Sequence, residues 1–272
     1  MKTIRRFFIF LFQFLFARRY LAKVNRMIYR FSLRSLGVIN IQTPFATGEP
    51  YLVKKILPQI IDKKSPVVFD VGANVGDYTS MIIDTFPETI IYAFEPHPST
   101  FIKLKEKHKN KKNVSIFNWG LGSQIDQLTL YDKKKSDGSE QASLYKEVIE
   151  DIHHFETVSH RINIETIDNI VNKYNLETID FLKIDTEGHE FEVLKGATST
   201  LQVGKIKYIQ FEFNEMNVIS RVFIRDIQQI LKDFTLYRLL PQGLLRISES
   251  IIDSEIFGFQ NIFAIHKSCK QL

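Results

Sequence analysis

Two short stretches hold residue types at spacings that chemistry can use. The first is FDVGANVGDYTS (69–80), a glycine-bearing turn between an apolar run and an amphipathic one. Such a loop, following a strand and opening a helix, presents free backbone N–H groups and a partial positive charge to a ligand. Gly72 and Gly76 permit tight backbone and close approach. A dinucleotide fingerprint would read G-x-G-x-x-G; here the matching positions are Gly72, Asn74 and Asp77, so two of the three glycines are absent. Asp70, beside the loop, would repel a pyrophosphate and favour a cation or an amine. S-adenosylmethionine offers a sulfonium and an ammonium and no phosphate. Glu95, 23 residues after Gly72, ends the next apolar run, where a carboxylate can accept hydrogen bonds from ribose hydroxyls; that feature suits either cofactor.

The second stretch is KIDTEGHE (183–190). Asp185 ends an apolar run, at the edge where open α/β sheets place their ligands. Glu187 and His189 follow in the turn, and Glu190 opens a short helix. A weak nucleophile such as an alcohol needs a group to take its proton, and His189 beside a carboxylate is one candidate. Glu212 and Asn214, in FEFN, end the following run and would face the same crevice. The candidate catalytic set is Asp185, His189 and Glu212. Two other readings of the cluster stay open. Its oxygen ligands could hold a hard divalent cation such as Mg²⁺, which is not the favoured reading and assigns no metal ligand. Glu187 and Glu190 could instead cap the short helix. HEFEV is not a zinc-protease motif, because position 193 is Val.

The surrounding pattern supplies elements that would position both stretches. Apolar runs at 67–71, 90–95, 113–118, 179–185, 207–213, 235–240 and 259–267 read as strands, with helical patterns at 76–86, 97–109, 189–197 and 225–234 between them. This alternation predicts an α/β fold, a mostly parallel sheet with helices on both faces and an antiparallel pair at one edge. The middle departs from it. Segments 126–132 and 158–165 read as antiparallel or edge strands flanking a polar, turn-rich stretch, 133–147, long enough to act as a lid. Lys133, Lys134 and Lys135 there read first as a solvated run.

The net charge of +5 hides an asymmetry. Residues 1–37 carry nine basic side chains and no acidic one, leaving 27 basic against 31 acidic in the rest. A body of net negative charge argues against a nucleic-acid partner. FFIFLFQFLF (7–16) is short of the roughly 20 apolar residues of a membrane span, and no small-residue cleavage site follows it. With Arg5, Arg6, Arg18 and Arg19 on its flanks it reads as an interfacial helix, so residues 1–37 could make peripheral membrane contact. Packing on its own domain or on a second subunit is the alternative. A lone cysteine, Cys269, suits a reducing, cytoplasmic setting, with the inner face of the membrane within reach of the first helix.

FDVGANVGDYT, YAFEPHP and DFLKIDTEGHEFEVLKGA, in this order and spacing, resemble FkbM-type S-adenosylmethionine-dependent methyltransferases over roughly residues 66–266. The resemblance implies a class I, Rossmann-like, seven-stranded sheet with an antiparallel last strand, and methyl transfer, typically to a hydroxyl of a glycan or secondary metabolite. It implies that Asp70, Gly72, Asn74 and Gly76 line the methionine end of S-adenosylmethionine and that Glu95 meets the ribose. In NWGLG (118–122), Trp119 and Leu121 would contact the adenine, although core packing also explains Trp119. Ser143 and Leu144 fall where the family builds its acceptor pocket. The resulting division is a basic helical segment (1–37), a linker and approach helix (38–65) and a methyltransferase domain (66–272). The expected partner is a small-molecule or glycan acceptor. A nicotinamide-dependent oxidoreductase and a non-catalytic methyltransferase-like scaffold are the alternatives; Asp70 and Asn74 oppose the first.

Overall fold

A computed structural model describes residues 2–38, 43, 46–139 and 141–271. Nine of its strands coincide, within one or two residues, with the segments that read as strands in the sequence. In chain order the strands are β1 (Val67–Val71), β2 (Ile90–Phe94), β3 (Val114–Phe117), β4 (Gly120–Leu121), β5 (Asp126–Lys133), β6 (Thr157–Glu165), β7 (Ile179–Ile184), β8 (Ile206–Phe213), β9 (Phe234–Leu240), β10 (Gly243–Arg246) and β11 (Gln260–His266).

Eight of them form one sheet in the order β10-β9-β11-β8-β7-β1-β2-β3. The run β8-β7-β1-β2-β3 is parallel, and β11 runs antiparallel between β8 and β9. The eighth strand, one more than expected, is β10, which folds back antiparallel on β9 as the edge. A four-residue strand with one weakly buried face leaves little period-two signal, which is why the sequence hides it. The five-residue helices Thr198–Gln202 and Met216–Ser220 escape sequence reading for the same reason, whereas the helix Ile167–Lys173 buries Ile167, Ile170 and Val171 at helical spacing, a signal the sequence reading missed.

β1 shows how two-sided burial reads as a continuous apolar run. Val68 packs with Leu52, Leu57, Ile82 and Leu104, on the face covered by the helical run 49–60 and by helices Asp77–Thr85 and Pro98–His108. Phe69 and Val71 point the other way, toward Ile167, Val193, Leu194 and Ile224. Alternation along a strand puts neighbours on opposite faces, so helices cover both sides.

The middle segment forms its own sheet, β4-β6-β5, with β5 and β6 antiparallel. Its apolar cluster, Leu130, Ile162 and Ile164, joins Ala142 and Leu144 of the 133–147 stretch.

The N-terminal segment is two helices, Lys2–Phe16 and Ala22–Ser35. In the first, Phe7, Phe8, Ile9, Phe10, Leu11 and Phe12 are all exposed, so the apolar surface runs around the helix rather than along one side. Leu33 and Val38 are buried, and Gly37 lies against the Leu239 carbonyl. No described helix is long and apolar enough to cross a membrane. Much of the 40–50 linker lies outside the described residues, but Thr47, Gly48 and the start of the 49–60 helical run pack on the body.

Candidate active site

A cleft of about 500 Å³ opens at the carboxyl ends of β1, β2, β7 and β8, under a roof made by the three-stranded sheet and the stretch after β5. Gly72, Asn74, Glu95 and Trp119 line it on one side and Asp185, His189 and Glu212 on the other. Asp70 and Gly76 do not reach its wall.

The loop after β1 is fixed by its backbone. The N–H groups of Gly72 and Ala73 both donate to the Phe94 carbonyl (3.0 Å each), tying the loop to the end of β2. Gly72 has φ +76°, and a Cβ there would stand 1.7 Å from the Asp185 carbonyl oxygen, so glycine is demanded by contact with the β7 loop. Asn74 also lies in the left-handed region (φ 48°), which asparagine tolerates. Gly76, at φ +84°, faces the helix Pro98–His108; a Cβ would meet His108 and Leu104 at 2.6 Å. Asp70 is fully buried beneath the loop, with one carboxylate oxygen accepting from the Thr79 hydroxyl at 2.5 Å. Its other oxygen has no hydrogen bond and lies 3.8 Å from the Lys183 ammonium.

Glu95 is held by three donors. It accepts from the Asn74 N–H (2.8 Å), the His97 N–H (2.8 Å) and the Thr100 hydroxyl (2.9 Å). Burial raises its pKa, while these donors stabilise the charged form. Trp119 stacks on Phe117 at 4.8 Å between ring centroids, and Lys173 lies over its ring; one aromatic thus serves core packing and cleft wall together.

The opposite side is a carboxylate wall around one buried ammonium. Lys183, near the carboxyl end of β7, donates to Asp185 at 3.0 Å. Burial alone would lower its pKa, but the charges of Asp185, Asp70 and Glu49 outweigh this and raise it. Glu187 has φ 51°, a strained position for a side chain of its size. It lines the cleft, and its Oε2 is buried with no hydrogen-bond partner. Burial first, then Asp185 and Glu190, push its pKa well above the carboxylate range. Glu212 is pushed up likewise, by burial and by Asp185, Glu187 and Glu49. Glu49 accepts from the Gln210 amide at 2.8 Å, and that residue also accepts from the Tyr78 hydroxyl.

His189 stands apart from this wall electrostatically. Burial lowers its pKa to about 4, and its Nδ1 faces the Tyr145 hydroxyl at 3.4 Å. Glu190 turns back on its own loop, accepting from the Thr186 N–H and hydroxyl and the Gly188 N–H; these donors precede the helix, so the contact holds the loop and does not cap the helix.

The stretch after β5 is pinned over the cleft. Asp132 accepts from the Gly138 and Ser139 N–H groups (2.7 and 2.9 Å), and Asp137 sits between His97 (2.9 Å) and His160 (2.7 Å). Among the described residues these last three form the one set of potential metal ligands within 4.8 Å of each other. The Ser99 N–H donates to His97 Nδ1, so the proton of the neutral ring is on Nε2 and points at Asp137, which makes a hydrogen-bonded clamp rather than a ligand set. Burial would raise the Asp137 carboxyl, but the two histidines outweigh it and hold it below its usual range.

Sequence reasoning overlooked Lys183 and Glu49. A lone lysine inside the apolar run FLKID was a usable signal for the first; Glu49 follows a linker and carries none.

Residues 70–236 match the family model described as the methyltransferase FkbM domain. The chain is 21% identical over 200 residues to the 2-O-methyltransferase NoeI of Sinorhizobium fredii, covering 71% of this chain and 82% of that protein. It is 28% identical over 186 residues to the hexuronic acid methyltransferase AglP of Haloferax volcanii, covering 67% and 70%. A crystal structure of methyltransferase FkbM from Methylobacillus flagellatus superposes with a TM-score of 0.48 at 14% identity, over 79% of this chain and 47% of that one. The chain belongs to the FkbM methyltransferase domain family and is an S-adenosylmethionine-dependent methyltransferase.

Proposed function

We propose that this cleft transfers the methyl group of S-adenosylmethionine to a hydroxyl of a glycan or a secondary metabolite. The observation that carries the proposal is the pairing of Glu95, held at the end of β2 with its carboxylate on the cleft wall, with an acid-rich wall opposite. The donor set suits the cofactor: carboxylates answer a sulfonium and an ammonium, and Lys183, engaged with Asp185, is no phosphate site. The buried, unpartnered Oδ1 of Asn74 and Oε2 of Glu187 are polar groups that a ligand would satisfy. Gly72 and Asn74 hold the methionine end, Glu95 the ribose and Trp119 the adenine. Asp70 and Gly76 act from beneath, supporting the loop.

When bound, S-adenosylmethionine supplies an electrophilic methyl group on a positively charged sulfur. The chain's part is to align an acceptor oxygen and to take its proton. Asp185 and Glu212 stand on the wall for this. A neutral His189, with a pKa near 4, is a poor proton acceptor, and its place beside Tyr145 suits orientation of the acceptor. Lys183 supplies positive charge that a divalent cation would otherwise bring. The 2-O-methyltransferase and hexuronic acid methyltransferase relatives favour a sugar as acceptor.

Residues 1–37 form a segment of their own, before the approach region 38–65 and the methyltransferase domain 66–272. Its exposed phenylalanines and nine cations suit an anionic bilayer on the cytoplasmic side, where a lipid-linked acceptor would be found. Full-length protein is expected to sediment with anionic vesicles and to lose this when Phe8 and Phe12 are replaced by serine; equal sedimentation of the two would end the membrane reading.

The acceptor chemistry is tested by feeding methyl-labelled methionine to cells producing the chain or its Glu95→Ala variant. A methyl ether on a sugar keeps its label through alkaline hydrolysis. Label found only as an alkali-released methyl ester would refute transfer to a hydroxyl.

A further inference from the structure

Carboxylates on and behind this wall of the cleft outnumber the cations facing them, and they come from several elements. β1 brings Asp70; β7 and its turn bring Asp185, Glu187 and Glu190; β8 brings Glu212 and the turn after it Glu215; the 49–60 run brings Glu49. Against them Lys183 is, among the described residues, the one cation whose charge reaches Glu49, Glu95, Glu187 and Glu212 alike. It is already committed to Asp185 at 3.0 Å and Asp70 at 3.8 Å. Thr79 answers Asp70, Gln210 answers Glu49, and the loop 186–188 answers Glu190. Tyr78 has a pKa raised by burial and by Glu49 and Asp70, and donates its proton to Gln210, while His189, its pKa lowered by burial, faces the Tyr145 hydroxyl. Glu215 is exposed to solvent. That leaves Glu187, with a buried unpartnered oxygen on the cleft wall, and Glu212, which lines the same wall and feels its charge.

On the reading that the cleft binds S-adenosylmethionine, we infer that Glu187 and Glu212 together keep a proton until the cofactor enters, that the sulfonium expels it, and that the pair takes a proton again as the sulfonium charge is lost. Two like charges in one poorly solvated wall do not ionise together, and a cation among them removes the reason. The return follows from charge balance. A C–O bond forms as the C–S bond breaks, its electron pair stays on sulfur as a neutral thioether, and the hydroxyl proton passes to the carboxylate. The wall therefore has its greatest appetite for a proton when the acceptor must give one up. The raised pKa values of both groups, driven first by burial, agree with this.

The test counts protons and needs no acceptor. The full-length protein is titrated at neutral pH with S-adenosylmethionine and with S-adenosylhomocysteine, by calorimetry in two buffers of different ionisation enthalpy. The two ligands differ by the sulfonium and its methyl group. S-adenosylmethionine is expected to release up to about one proton more than S-adenosylhomocysteine. The excess should shrink or vanish in Glu187→Gln and in Glu212→Gln. Equal proton counts for the two ligands in the unaltered protein would overturn the inference, whatever the variants do, as would an excess that persists undiminished in both. Failure of either ligand to bind would overturn the cofactor reading, and this inference with it.

Discussion

The Asp185 carbonyl oxygen occupies the space in which a side chain on Gly72 would begin, 1.7 Å from the Cβ position. The glycine loop and the acidic loop are thus in close contact, and the φ of +76° at Gly72 closes the position to other residues. Gly72→Ala is expected to destabilise the protein by more than about 2 kcal/mol. Its thermal midpoint should fall by roughly 5 °C or more. An unchanged midpoint would mean that the two loops do not meet as described.

Lys183 stabilises the wall around it. Replacing it with methionine leaves Asp185 and the fully buried Asp70 without their cation. Breaking a buried pair in this way costs about 3–5 kcal/mol. Urea unfolding of Lys183→Met at neutral pH is expected to show a loss of that order. A loss below about 1 kcal/mol would place Lys183 in far better solvated surroundings.

His189 sets a pH dependence of the opposite sign from an ion-paired histidine. Its folded pKa, about 4, lies below the ordinary 6.5 because burial disfavours the charged ring. Below pH 6.5 the unfolded chain takes up a proton that the folded protein refuses, so stability falls as pH drops from about 6.5 towards 4. The full effect is up to about 3 kcal/mol. Glu187 and Glu212, with raised values, act in the other direction as pH falls, so the test is a difference. His189→Gln is expected to lose less stability than the unaltered protein between pH 7 and 5. Parallel pH curves would show that the imidazole is solvated.

The clamp of His97, Asp137 and His160 should hold the roof. Asp137→Ala removes the acceptor of both histidines, while Asp132 still binds the Gly138 and Ser139 amides. Hydrogen exchange at those two amides is expected to quicken about tenfold, the equivalent of about 1.4 kcal/mol. Unchanged exchange would show that Asp132 alone suffices.

How far the sequence could be read depended on how much apolar surface each element buries. Strands such as β7, buried on both faces, announce themselves as unbroken apolar runs, and the glycine loop and Glu95 were legible because fixed spacing ties them to strand ends. β10 and the five-residue helices bury too little to leave a period. Asp70 and Gly76 were placed on the loop correctly but serve its underside, a distinction that depends on which way each side chain points. Glu49 joined the wall through a tertiary contact with Gln210, 161 residues away, which no local pattern encodes.

Calorimetric binding of S-adenosylmethionine to the full-length protein and to Glu95→Gln tests the central claim most directly. The amide keeps the size of Glu95 but loses the charge that accepts from Asn74, His97 and Thr100 and is proposed to accept from the ribose. Loss of charge-assisted hydrogen bonds of this kind should weaken binding about tenfold or more. A folded protein that does not bind S-adenosylmethionine, or a variant that binds it as tightly as the unaltered chain, would contradict this account of the cleft.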